Sequence, residues 1–156
     1  TEVLREPIEE IIQVGTFDFS DRQTGGYNPA YMWPGPDYTY SSRGQSAGHR
    51  GRDINAPEGT PIFAANAGVV ITSGWHYSYG NHIVIQHPDG LLTLYAHCSY
   101  LEAQVGDAVQ QGQYIALVGN TGFSFGNHLH LEVQQQGGGL LNPDDYVVAP
   151  HGYRLG

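Results

Sequence analysis

From residue 45 onward the chain breaks into short runs: TPIFAAN, AGVVITSGW, HIVIQHP, LLTLYAHCS, YIALVGN and HLHLEVQ. Each is rich in β-branched or aromatic residues and bounded by Gly, Pro, Asn or Asp. Such side chains suit a pleated, half-buried surface, and the bounding residues suit turns. HPDGLL sets a Pro-Asp-Gly turn between two runs, which signals a hairpin. No segment holds a long 3.6-residue period, so no amphipathic helix is expected. A weak internal repeat runs through the same region. EGTPIFAANAGVV (58–70) and VGDAVQQGQYIALVG (105–119) share a glycine turn, apolar and small residues, and a final strand. The fold class expected is all-β, a compact unit of interlocked hairpins.

Composition narrows the function. With 156 residues, 40% of them hydrophobic, one compact domain with a core is expected. The formal net charge is −9, and the six basic residues are all arginine. Nucleic-acid partners need a basic surface, as does docking to anionic lipid, so neither is expected. No apolar run is long enough to span a bilayer as a helix. Cys98, the single cysteine, cannot form an internal disulfide and reads as a core residue. The opening TEVLREPIEE is not a signal peptide and reads as part of an internal or mature fragment. The expected organisation is a strand or tail over 1–19 and a Gly/Pro/Tyr-rich loop over 20–44. A catalytic domain over 45–149 and a tail over 150–156 follow.

The chemistry lies in the histidines. In NTGFSFGNHLHLEV, strand alternation puts His128, His130 and Glu132 on one face. Leu129, Leu131 and Val133 then make the core face. Two more clusters accompany them: GHRGRD, with His49 and Asp53 in a loop entering a strand, and LYAHCS, with His97 and, on its face, Tyr95. A hydrolytic zinc site needs three protein ligands, an open position for water, and a nearby acid or base. These five groups meet that need.

GHRGRDI, YAHCS and GNHLHLEV, in this order, resemble the LytM/lysostaphin-type zinc endopeptidases (peptidase family M-23), which cut the peptide part of bacterial peptidoglycan. VGDAVQQGQYIALVGNTG and LNPDDYV carry the same resemblance, which covers roughly residues 32–148. It implies one zinc ion held by His49, Asp53 and His130, with His97 and His128 as catalytic histidines beside the attacking water. It implies a small, mostly antiparallel β-sheet core of the duplicated hybrid-motif type, with the site in a groove walled by loops. It also implies a monomeric, extracytoplasmic or secreted enzyme with peptidoglycan peptide as substrate. The alternative is a non-catalytic member that binds wall and activates other hydrolases. Such members usually lose metal ligands, and this chain keeps all three. A biotinyl- or lipoyl-type carrier, which shares hairpins like VGDAVQQGQ, needs an acceptor lysine that this chain lacks.

Strand spacing sets His128 and His130 roughly 6–7 Å apart along the backbone, so one can bind the metal while the other handles a proton. Either His97 or His128 could take that proton. The SSRGQSAGH stretch is shorter than its counterpart in the family, which reshapes the groove wall; Arg43 within it is a candidate to polarise the scissile carbonyl. Trp75, Tyr77 and Tyr79 are candidates for an aromatic groove wall. Asn28 is a candidate fourth ligand in a latent form. His76, His82, His87 and His151 read as bystanders. Residues 3–16, VLREPIEEIIQVGT, resemble the closing strand of a G-five wall-associated module.

Overall fold

The computed structural model describes residues 31–36, 38–46 and 48–148. The expected strand over 1–19, Asn28, His151 and the C-terminal tail lie outside the described residues. Ten strands form one sheet system: β1 (Tyr40–Arg43), β2 (Arg52–Asn55), β3 (Pro61–Phe63), β4 (Gly68–His76), β5 (Gly80–Gln86), β6 (Leu91–Leu101), β7 (Ala108–Val109), β8 (Tyr114–Val118), β9 (His128–Gln135) and β10 (Leu140–Leu141). The main path runs β1-β2-β9-β6-β5-β4-β7, with β10 on β9 and β8 joining β3 to β6. Every pairing is antiparallel. Among the described residues Pro143–Asp145 forms a turn of 3-10 helix, capped by the Asn142 side chain. Among the described residues no helix is long and apolar enough to cross a membrane.

The two repeat copies pair with each other. β3 and β4 come from the first copy, β7 and β8 from the second, and the pairs are β3 with β8 and β4 with β7. Exchanging the copies maps one pair onto the other. The turn bonds obey the same exchange: Gly59 N–H donates to Val118 O and Gly106 N–H to Val70 O, both at 2.9 Å. Likewise Val118 N–H donates to Thr60 O and Val70 N–H to Asp107 O. Gly59 and Gly106 share the left-handed conformation, φ 90° and 95°, that a side chain would resist. The duplication that the sequence suggests therefore works as an approximate twofold interlock.

The interlock and the long strands enclose one main apolar cluster, with Ile54, Ile62, Ile83, Ile85, Tyr95, Cys98, Ile115, Leu129 and Leu131 in it. On β9 the expected core face holds at Leu129 and Leu131, which join this cluster, and Val133 is buried as well. At roughly 1.5–3 kcal/mol for each fully buried aliphatic side chain, that face anchors the strand carrying the two site histidines. The Pro-Asp-Gly hairpin also holds, with Gly90 at φ 90° and Asp89 accepting from Leu91 N–H. Two expectations fail. β1 lies inside the stretch read as loop, because pairing with β2 overrides its Tyr/Ser composition. Strand alternation also breaks at His97, whose φ is 65°. The register slips there, so Tyr95 and Cys98 both point into the core and His97 points out of it.

Candidate metal centre and active site

Register places the first two groups. β2 and β9 pair with Asp53 opposite His130 and Asn55 opposite His128. Opposed residues share a face, so Asp53 and His130 meet above the sheet. β1 adds Arg43, opposite Asp53, to the same face. His49 enters from the loop before β2, where its backbone exchanges hydrogen bonds with Ser46 at 2.9 and 3.0 Å. Gly51 lets that loop lie against β9: a Cβ there would stand 2.1 Å from Leu131 O.

The three side chains converge on one carboxylate oxygen. His49 Nε2 is 3.1 Å and His130 Nδ1 3.0 Å from Asp53 Oδ1. One ligand atom from each lies within 4.8 Å of the others. Ligand atoms about 2.0–2.1 Å from a tetrahedral metal stand roughly 3.3 Å apart, so this set fits zinc in spacing and in its nitrogen and oxygen donors. His128 Nε2 lies 3.5 Å from the same Asp53 oxygen. The His97 ring is 4.9 Å from His128 and 5.9 Å from His130, centroid to centroid. All five groups line one open cleft of about 860 Å³.

Each imidazole is oriented from behind. His49 Nδ1 is 2.9 Å from Gly44 O, His97 Nδ1 is 2.8 Å from Thr121 O, and His128 Nδ1 is 2.8 Å from Gly126 O. A carbonyl only accepts, so each Nδ1 carries the hydrogen and each Nε2 presents its lone pair. His130 is turned the other way. Its Nε2 is 2.9 Å from Glu132 Oε2, which leaves Nδ1 for the centre. Burial pushes the Glu132 carboxyl up, but hydrogen bonds from His130, Tyr79 and Gln134 outweigh it and hold the group at about 2. Burial likewise opposes charge on Asp53, and the facing imidazoles, His130 foremost, bring its carboxyl below the usual range. Burial lowers His130 too, yet the Asp53 and Glu132 carboxylates raise it on balance. Burial dominates at His97 and lowers its pKa, favouring the neutral, proton-accepting ring.

Other expected residues divide. Arg43 lines the cleft and is exposed. Tyr95 does not reach it: the ring is fully buried, and its hydroxyl accepts from Ala65 N–H at 2.9 Å and bonds Thr93 Oγ1. The bulge at His97 separates the two side chains that simple alternation would put together. Trp75 and Tyr77 also miss the cleft, being 64% and 82% exposed at the tip of the β4–β5 hairpin. Tyr79, the third aromatic of that candidate wall, is placed differently. It lines the cleft and donates its hydroxyl to Glu132 Oε2 at 2.8 Å. Arg50, Phe123 and Phe125 complete walls that sequence reasoning did not assign. The GFSF spelling beside the H-x-H pair is the one signal that could have pointed to the two phenylalanines, which meet edge to face at 5.2 Å. His76, His82 and His87 stay outside the cleft lining.

Residues 47–143 match the model of Peptidase family M23. The chain belongs to this family. Among its relatives is the peptidoglycan DD-endopeptidase ShyC of Vibrio cholerae, 39% identical over 71% of this chain and 24% of that protein. The chain thus spans about a quarter of that relative's length. Two solved M23-like structures superpose well. The catalytic domain of a mutant of the prophage-encoded M23 protein EnpA from Enterococcus faecalis gives a TM-score of 0.67 at 33% identity, over 74% of this chain and 96% of that one. A zinc-containing peptidase from Vibrio cholerae gives 0.66 at 29% identity, over 72% and 38%. The M23 match spans the interlock and every cleft histidine.

Proposed function

We propose that this M23 domain is a zinc-dependent endopeptidase acting, as a monomer outside the cytoplasm, on peptide bonds in bacterial peptidoglycan. One observation carries the reading: His49 Nε2, Asp53 Oδ1 and His130 Nδ1 converge, and two further oriented imidazoles stand over the same cleft. All five groups come from one chain, which favours a self-sufficient monomer. The substrate class rests on the family and on relatives such as ShyC, named a peptidoglycan DD-endopeptidase.

Zinc, when bound, lowers the pKa of water to about 7 and polarises the scissile carbonyl. The protein residues do the rest. His97, kept neutral by burial and aimed through Nε2, takes a proton from the attacking water and returns it to the leaving amine. His128, with Nε2 beside the Asp53 carboxylate, steadies charge that develops on the carbonyl oxygen when Nε2 as well as Nδ1 carries a proton to donate. Arg43 lies on the same face and holds a substrate carbonyl or carboxylate at the cleft edge.

The test is mass spectrometry of fragments released from purified peptidoglycan by the zinc-loaded protein. Walls with direct and with glycine-bridged cross-links are compared. New amine ends at one type of peptide bond, lost with chelator and in His49→Ala, are expected. Zinc bound at one equivalent with no release from either wall would overturn the endopeptidase reading.

A further inference from the structure

Glu132 is the deepest polar group in the molecule's working region. Its side chain is fully buried, and it faces the back of His130. Oε2 accepts from His130 Nε2 at 2.9 Å, from the Tyr79 hydroxyl at 2.8 Å and from Arg50 Nε at 3.2 Å. Oε1 accepts from Gln134 Nε2 at 2.7 Å. An ionised carboxylate is acceptor-only, and these four donors satisfy it. Burying a charge so fully is costly unless donors surround it, so a network this complete points to a definite task.

The task follows from a contrast. His49, His97 and His128 each give the Nδ1 hydrogen to a backbone carbonyl and present Nε2. His130 alone of the four must present Nδ1, the atom facing Asp53 and His49. Among the described residues its Nε2 meets not a backbone carbonyl but the Glu132 carboxylate. We propose that Glu132 is a positioning residue for the metal centre. It takes the Nε2 hydrogen of His130, selects the tautomer with a free lone pair on Nδ1, and holds the ring plane toward Asp53. Tyr79, Gln134 and Arg50 hold Glu132 in turn. This rests on the proposed zinc centre and adds a residue whose own side chain stays off the metal and the substrate. Carboxylates behind ligating imidazoles typically change metal affinity 10–100-fold when removed.

Zinc dissociation constants, measured by competition with a chromophoric chelator on the folded protein, test it. Parent, Glu132→Gln, Glu132→Leu and Tyr79→Phe are compared, each with its metal-free melting temperature. Gln keeps shape and one acceptor; Leu removes the acceptor. The expected order is parent tightest, Glu132→Gln weakened several-fold, and Glu132→Leu weakened on the order of 10–100-fold. Tyr79→Phe should weaken zinc slightly, because Glu132 keeps its other donors. A purely structural Glu132 would lower the metal-free melting temperature and leave zinc affinity unchanged in the folded variants. That result would overturn the positioning role. If Glu132→Leu does not fold, an unchanged constant in the near-isosteric Glu132→Gln and in Tyr79→Phe overturns it equally. A parent that fails to bind one zinc would overturn the centre itself, a distinct outcome.

Discussion

His97 works from a backbone conformation that its own side chain disfavours. Its φ of 65° lies in the left-handed region, where a residue with a Cβ costs about 1–2 kcal/mol. The strain turns the ring out of the sheet into the cleft while Tyr95 and Cys98 stay in the core. His97→Gly and His97→Ala both delete the ring, but glycine accepts the conformation. The Gly variant should therefore unfold at higher urea than the Ala variant, by about 1 kcal/mol, with both inactive. Equal stability would mean that the backbone relaxes once the ring is gone. The two kinds of histidine separate in a second experiment. His128→Ala should keep stoichiometric zinc and lose about 10²–10⁴ in rate, whereas His130→Ala should lose the zinc as well. Zinc loss in His128→Ala would put that ring among the ligands. The sequence showed these residues because imidazole and carboxylate identities are written in it. It did not show which nitrogen each ring presents, since that is set by Gly44 O, Thr121 O, Gly126 O and the Glu132 carboxylate. Tyr95 was misplaced for a related reason: the positive φ at His97 breaks the alternation that would put Tyr95 and His97 on one face.

Strand pairing decides what each element contributes. Gly51 lets the loop carrying His49 press on β9, with no room for even a methyl group beside Leu131 O. Gly51→Ala should therefore destabilise the fold by about 1–3 kcal/mol and weaken zinc, because β2 must move relative to β9. Unchanged zinc affinity would show that the loop adapts without moving Asp53. β5, β6 and the loop after β3 meet in a buried chain of polar groups. Ala65 N–H donates to Tyr95 Oη, Tyr95 Oη and Thr93 Oγ1 are 2.7 Å apart, and Thr93 Oγ1 is 2.8 Å from His87 Nε2. At the other end His87 Nδ1 meets Ala67 O at 2.8 Å. The carbonyl requires hydrogen on Nδ1, and the hydroxyls can then run donor to acceptor into Nε2 only if His87 is neutral. Burial also lowers the His87 pKa. The unfolded chain thus takes up a proton below about pH 6.5 that the folded chain refuses, so stability falls as pH drops through that window. His87→Gln should flatten part of the fall in melting temperature between pH 7 and 5. A parallel curve would place the proton elsewhere. These couplings explain which parts of the fold were legible. Runs such as HIVIQHP and HLHLEVQ declare themselves by composition and alternation. β1 does not, because only its partner β2 makes it a strand.

At the scale of the molecule, the scaffold and the site occupy different parts of the sheet. The interlock uses β3, β4, β7 and β8, closed by matched turns at Gly59 and Gly106. The cleft uses β1, β2 and β9, with His97 reaching over from β6. The apolar cluster runs beneath both and contains none of the three converging ligands. The fold therefore does not depend on a metal to close its core, unlike small domains that are unfolded without zinc. Chelation should leave a folded β protein with a cooperative melt. It should still lower the melting temperature, because zinc ties β2, β9 and the His49 loop together and binds the folded state alone. At a free zinc concentration about 1,000 times the dissociation constant, binding adds about 4 kcal/mol. For a chain of this size that is roughly 8–16 °C, at about 2–4 °C per kcal/mol. Re-addition of zinc should restore the melt in proportion to the logarithm of its concentration. Loss of the cooperative melt on chelation would make the metal part of the folding core. An unmoved melt would show that the three converging side chains hold no zinc. The same titration on His130→Ala separates these cases, since that variant should melt as the chelated parent does whatever zinc is added.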